Sequence, residues 1–303
     1  MSDIAGRYLL GGVTLVSEIA LPELPFIQLQ SAAPHLVSIR LGEVPNHLPG
    51  AIELDPDCFA TSEQYLLRIP GIASYLVSHG RDIVVCPAAG ALPLDVRAYL
   101  LGTLFVVLCQ QRGLLPLHAS AVGSSQGVVA FLARSGQGKS SLAAHLAQRG
   151  FPVLADDVCL IDITPTNAMV IPSAPWLKLW RNSLQNLGRQ AEGLERVFSE
   201  DDKYRLPLQG PLHPEPIGKL IFLETEDRPA PGIQELSRLD AIPLLMDLTH
   251  SAYVLQATGQ WQENFLRCSR VSSQARAYRL IRPWGLEHLD STADLLEGLI
   301  MEK

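Results

Sequence analysis

The chain has 303 residues, 47% of them hydrophobic, and a formal net charge of −7. Such a length buries a sizeable core and divides into two domains, or one domain with a long N-terminal extension. The acidic balance, with Lys and Arg unclustered, excludes the positive face that non-specific nucleic-acid binding needs.

The five cysteines, Cys58, Cys86, Cys109, Cys159 and Cys268, are scattered and form no C-x-x-C pair, so they read as reduced, mostly buried thiols of a cytosolic protein. No basic stretch followed by an apolar core opens the chain, and the expectation is a cytoplasmic protein without a membrane partner.

Residues 1–95 alternate short β-like runs at 7–10, 36–40, 65–69, 74–78 and 82–86 with Pro/Gly turns, which predicts a small, mainly antiparallel N-terminal domain. His35, His47 and His79 are isolated there and read as solvated loop residues. A helix is expected over 96–112 at the start of a second domain, 96–303. Its apolar stretch 98–109 is shorter than the roughly 20 residues a membrane span requires.

The second domain should contain a buried strand at 127–132, a helix at 141–147, a strand ending at Ala155, a strand at 219–224 and a polar turn at 225–232. A helix over 241–256, a strand at 278–282 and an amphipathic terminal helix over 291–301 complete it, with Leu295, Leu296 and Leu299 on one stripe. There is no internal repeat, and no Gly/Ser linker marks a further boundary.

Between the strand at 127–132 and the helix at 141–147 lies Ser135-Gly136-Gln137-Gly138-Lys139-Ser140. A phosphate-binding loop needs backbone N–H groups free to point inward, a lysine for the terminal phosphates and a hydroxyl for Mg²⁺, and this hexapeptide supplies all three. The first glycine of the usual pattern is Ala133, which predicts an ordinary extended backbone at the loop entry.

Asp156 and Asp157 follow a strand, near the carboxyl edge where ligands bind. One carboxylate suits a proton acceptor and the other a Mg²⁺ ligand; a solvated turn or a helix cap is the alternative. His118, in an apolar run, reads by pattern as a core residue. Lys203 and Arg205 are candidate cations for the terminal phosphate, with a surface turn as the alternative. Lys178, between Trp176 and Trp180 in an apolar segment, requires an anionic partner.

Taken together, Leu117-His118-Ala119, Ser135 to Ser140, Arg149-Gly150 and Ala155-Asp156-Asp157 resemble the HPr kinase/phosphorylase family in residues and spacing over about 114–160. The resemblance implies an α/β fold, a P-loop HPr-kinase-like core preceded by a small mainly-β domain. It implies ATP held by Ser135, Gly136, Gln137, Gly138, Lys139, Ser140 and Ser141, and Mg²⁺ held by Ser140 with Asp156 and Asp157. Asp157 is then the proton acceptor, Lys139 and Asp156 assist, and His118 becomes an active-site residue beside the transferred phosphate.

The family's downstream glutamate and R-G-L-G-I signature have no counterpart, since residues 170–184 contain no acid. The second metal ligand, the reverse reaction and HPr as substrate are therefore not carried over. A looser resemblance, through Pro172, Pro175 and Leu177-Lys178-Leu179-Trp180, leads to HPr-kinase-like proteins of peptide-modification systems, including lasso-peptide precursor kinases.

The implied function is a Mg²⁺- and ATP-dependent serine kinase acting on a peptide or small protein, with a lasso-peptide precursor as one candidate acceptor. A kinase of free serine or another small metabolite, and a nucleotide-dependent peptide-binding switch with little or no transfer, are the alternatives. The family resemblance also implies a homo-oligomer.

Overall fold

In the computed structural model, residues 6–27, 36–164, 166–173, 175–208, 210 and 213–302 are described. The described residues form a mixed α/β protein with three sheets. Contacts divide it into one unit of residues up to Leu114 with Ser251–Gln262, and a second of Leu115–His250 with residues from Glu263 onward.

The first unit carries β1 (Gly6–Leu10), β2 (Val13–Ser17), β3 (Leu36–Leu41), β4 (Ile52–Asp55), β5 (Cys58–Ala60), β6 (Gln64–Ile69), β7 (Ala73–Ser78) and β8 (Asp82–Pro87). They form one sheet in the order β1-β2-β3-β8-β7-β6-β5-β4, in which β3 is parallel to both neighbours and every other pair is antiparallel. Every run expected from sequence is a strand, and β2, β4 and β5 are additional. Along β7, Ala73, Tyr75 and Val77 are buried while the residues between them are less so, the period of two that a one-sided sheet imposes.

The helical segment Pro93–Gln111 belongs to this unit, so the division falls after Leu114 and not after residue 95. The reason is packing. Tyr75 Oη donates to Val96 O at 3.0 Å, Gly80 N donates to Gln111 Oε1 at 2.8 Å, and Leu100, Leu104, Val106 and Leu108 are buried. Among the described residues this is the one helix long and apolar enough to cross a membrane, and 61% of its apolar window is buried inside the protein. All five cysteines are free thiols; Cys86 is exposed and the rest are buried.

In the second unit the strands are β9 (Leu115–Leu117), β10 (Ala119–Val122), β11 (Val128–Leu132), β12 (Val153–Ala155), β13 (Cys159–Ile163), β14 (Ala168–Ile171), β15 (Trp176–Trp180), β16 (Lys203–Pro207), β17 (Glu215–Thr225), β18 (Gly232–Leu236) and β19 (Arg276–Arg282). Nine of them make one sheet in the order β12-β10-β11-β17-β14-β13-β9, with β19 on β17 and β18 on β19; β15 and β16 pair separately. β11, β17 and β19 are parallel, and β12 runs the same way because two antiparallel steps through β10 separate it from β11. The carboxyl ends of β11, β12, β17 and β19 therefore share one edge.

Both faces of this sheet are covered, which explains the unbroken apolar run of β11. Val128, Ala130 and Leu132 join a core with Ala241, Leu245, Cys268 and Val271; Val129 and Phe131 join another with Leu142, Leu146, Leu289 and Ile300.

The helix expected over 241–256 is two, Arg238–Asp247 and Ala252–Ala257. Between them the backbone pairs with the β9 region. His118 N donates to Leu248 O and His250 N to Pro116 O, both at 2.8 Å, with a bridge between Leu117 and Thr249, and Ser251 then turns left-handed at φ +55°. Tertiary pairing outcompetes the helical ladder over these residues, and it carries His250 to the sheet edge.

Candidate active site

The loop after β11 leads into the helix Lys139–Gln148, as expected. Gly136 and Gly138 adopt φ of +83° and +77°, whereas Ala133 is not among the positive-φ residues. Gly138 is doubly constrained, because a Cβ there would also stand 2.5 Å from Arg282 Nη2. Lys139 Nζ is buried and donates to Ala133 O at 2.7 Å and Arg134 O at 3.0 Å. Burial pushes its pKa down to about 8, against the pull of Asp157 and Asp156.

The paired aspartates point to different partners. Asp156 is buried: its Oδ1 accepts from Ser120 Oγ and its Oδ2 from Lys178 N, each at 2.7 Å. Burial raises its pKa, and these hydrogen bonds, with another from Ser140, oppose the rise. Asp157 takes φ +68°, a strained conformation that Asp tolerates better than most residues and that concentrates at functional sites. Its Oδ2 accepts from Lys178 Nζ at 2.7 Å and its Oδ1 lies 3.5 Å from His118 Nδ1. Burial alone would raise this carboxyl; Lys178, by charge and hydrogen bond, then His118 and His250, hold it well below the usual range.

His118 sits between β9 and β10, with Nδ1 also 3.2 Å from Asp157 O. Its ring meets that of His250 edge-on at 5.4 Å. Burial, helped by Lys139 and opposed by Asp157, holds the His118 pKa down to about 4, and burial lowers that of His250 as well.

His118, Lys139, Asp157 and Lys178 of this cluster face a cavity of about 770 Å³, whose lining includes neither His250 nor the buried Asp156. His118, Ser135, Gly136, Gly138, Ser140, Ser141 and Asp157 line it, as do the cations Lys139, Lys178, Lys203 and Arg282. With Arg181, five basic residues line it against three acidic ones, Asp157, Asp202 and Glu287, so within a chain of net charge −7 the cavity lining keeps a positive excess that favours a polyanion. Trp180 and Trp284, 49% and 62% exposed, also line the cavity.

Most residues proposed from sequence converge here. Gln137 is tied elsewhere: its carbonyl accepts from Arg282 Nη2 at 2.9 Å and its Oε1 from Thr225 Oγ1 at 3.1 Å. Arg205 does not reach the cavity. It is buried against Trp176, with Nη1 donating to Glu195 Oε2 and Arg196 O at 3.0 Å, so its position serves packing of the β15–β16 pair. The anion that Lys178 required is Asp157 itself.

Arg282, Ser120 and His250 were not singled out from sequence. Arg282 ends a strand that was expected, and its place at a carboxyl edge was a usable signal; His250 lay hidden inside an expected helix.

No protein-family model matches the chain, and no curated protein matches it. Among solved structures it is similar to the Hpr(Ser) kinase/phosphatase from Coxiella burnetii, at 12% sequence identity and a TM-score of 0.30, over 61% of this chain and 93% of that one.

Proposed function

We propose that this chain is a Mg²⁺- and ATP-dependent phosphotransferase whose acceptor is an alcohol, the hydroxyl of a serine in a peptide or small protein. The observation that carries this reading is the sharing of one cavity by a glycine-rich phosphate loop and the Asp157 carboxylate, with His118 against it. Loop amides of 135–140 and Lys139 bind the phosphates, and Lys203 and Arg282 add positive charge where negative charge gathers.

Ser140 and Asp156 offer hard oxygen donors hydrogen-bonded to one another, a set that suits Mg²⁺. Bound there, the ion would neutralise charge on the phosphates. In transfer, the acceptor oxygen bonds to the γ-phosphorus as the bond to the bridging oxygen breaks and ADP departs. The hydroxyl proton passes to Asp157.

A carboxylate held far below neutrality by Lys178 is a weak base, so the ion pair must open. The γ-phosphate is the competing anion in the same cavity, and Lys178 moving onto it would free Asp157 and stabilise the transferring group at once. Support for a peptide acceptor is the pair of exposed tryptophans at the cavity, Trp180 and Trp284, together with the resemblance of the Leu177–Trp180 segment to peptide-modification kinases; a lasso-peptide precursor is one such acceptor. The closed Lys178–Asp157 pair and the acid-free stretch 170–184 favour a second reading, a nucleotide-dependent peptide-binding switch with little transfer.

Incubation with γ-labelled ATP and serine-ending peptides, or with free serine, separates these. Label in peptide supports the proposal. Label confined to free serine makes the protein a small-metabolite kinase, and tight ATP binding without label in any acceptor favours the switch.

A further inference from the structure

We infer that His118, Asp157 and His250 form a binding site for one divalent transition-metal ion of the zinc class. One ligand atom from each lies within 4.8 Å of the other two. An ion about 2.1 Å from each ligand needs them within about 4 Å of one another, so closing the site takes side-chain adjustments of about 1 Å.

The three residues come from separate segments that the backbone already fixes. The hydrogen bonds from His118 N to Leu248 O and from His250 N to Pro116 O lock the two histidines side by side, and the turn at Asp157 aims its carboxylate at them. Lys178 occupies only Oδ2, leaving Oδ1 on the His118 side and orienting the carboxylate as outer hydrogen bonds do around metal ligands.

Two imidazoles and a carboxylate select Zn²⁺ or Co²⁺ over Mg²⁺ and Ca²⁺, which take oxygen donors. The site is therefore chemically distinct from the oxygen pair of Ser140 and Asp156. Three protein ligands leave a coordination position open, and His118 and Asp157 both line the nucleotide cavity onto which it would face. A regulatory consequence rests on the proposed phosphotransferase reading: an ion held here takes the carboxylate that would accept the proton, so zinc suppresses transfer.

The test uses the full chain in a Cys86→Ser background, because that exposed thiol is a competing zinc ligand. The protein is stripped with chelator, desalted, and titrated without nucleotide, with ZnCl₂ by calorimetry and with Co²⁺ by visible absorption. One equivalent should bind, with Co²⁺ giving the absorption of nitrogen and oxygen ligation. Excess Mg²⁺ should not displace either ion.

His250→Ala should weaken binding at least about tenfold, and His250→Gln gives a second variant should the first fold poorly. Absence of a saturable site, or affinity unchanged in a folded His250 variant, overturns the inference. Zinc that binds without suppressing transfer supports the ion site and removes Asp157 as proton acceptor. Transfer in a protein that binds no zinc leaves the phosphotransferase and removes the ion site.

Discussion

Replacing Lys178 by Met tests whether the Lys178–Asp157 pair organises the site. At 2.7 Å, and with side chains only 16% and 25% exposed, the pair gains roughly 6 kcal/mol of gross Coulomb energy at an effective dielectric of about 20. Desolvating the two ions offsets much of that, but removing one partner leaves the other charge buried, a loss of about 3–5 kcal/mol. Lys178→Met should therefore lower stability by about 3 kcal/mol at pH 7. Asp157→Asn should cost a similar amount, and the double variant should fall short of the sum by about 2 kcal/mol.

Because the Asp157 pKa is depressed in the folded state, its contribution is present above the ordinary value of 3.8 and is lost as pH falls through the folded value. The coupling should then be full at pH 7 and shrink in strong acid. Urea unfolding followed by tryptophan fluorescence in a Trp261→Phe background reads the right unit, since Trp176, Trp180 and Trp284 lie in the second unit and Trp261 in the first. Additive single effects within about 0.5 kcal/mol at pH 7 would refute the pairing as an energetic unit.

Asn accepts the left-handed backbone of Asp157, so Asp157→Asn should abolish labelled transfer while ATP binding, read by calorimetry, stays within a few-fold; Lys139→Ala should weaken ATP binding itself. Gly138→Ala meets both a positive φ and Arg282, and should destabilise the protein by about 2 kcal/mol in thermal melts and impair nucleotide binding. His118, with a folded pKa of about 4 against an ordinary 6.5, binds fewer protons folded than unfolded between those values. Stability should fall by about 3 kcal/mol from pH 6.5 to 4 on this account, and a His118→Gln protein should show a correspondingly flatter profile over that window. Ser120→Ala removes a hydrogen bond from buried Asp156 and should cost about 1–2 kcal/mol in urea unfolding.

The local elements were legible because each is set by near neighbours. The apolar run of β11, the glycines and lysine of the loop and the helix beginning at Lys139 needed only pattern and backbone chemistry. So did the alternation of β7 and the free cysteines. The two aspartates could be placed at a sheet edge, but their separate partners could not, since Lys178 is 21 residues from Asp157 and reaches it only through the β15–β16 pair.

What the tertiary structure alone decided was pairing between distant segments. The helix 93–111 joined the first unit through contacts with Tyr75 and Gly80 that no periodicity encodes. His250 left an expected helix because Leu248 and His250 find backbone partners beside β9, where the tertiary ladder satisfies the same groups that a helix would. Arg205 is a candidate cation for the terminal phosphate in sequence, yet Glu195, Trp176 and its neighbours' carbonyls surround it. Local propensity fixes which residues can form a strand, turn or helix; burial and long-range hydrogen bonding fix which charges meet.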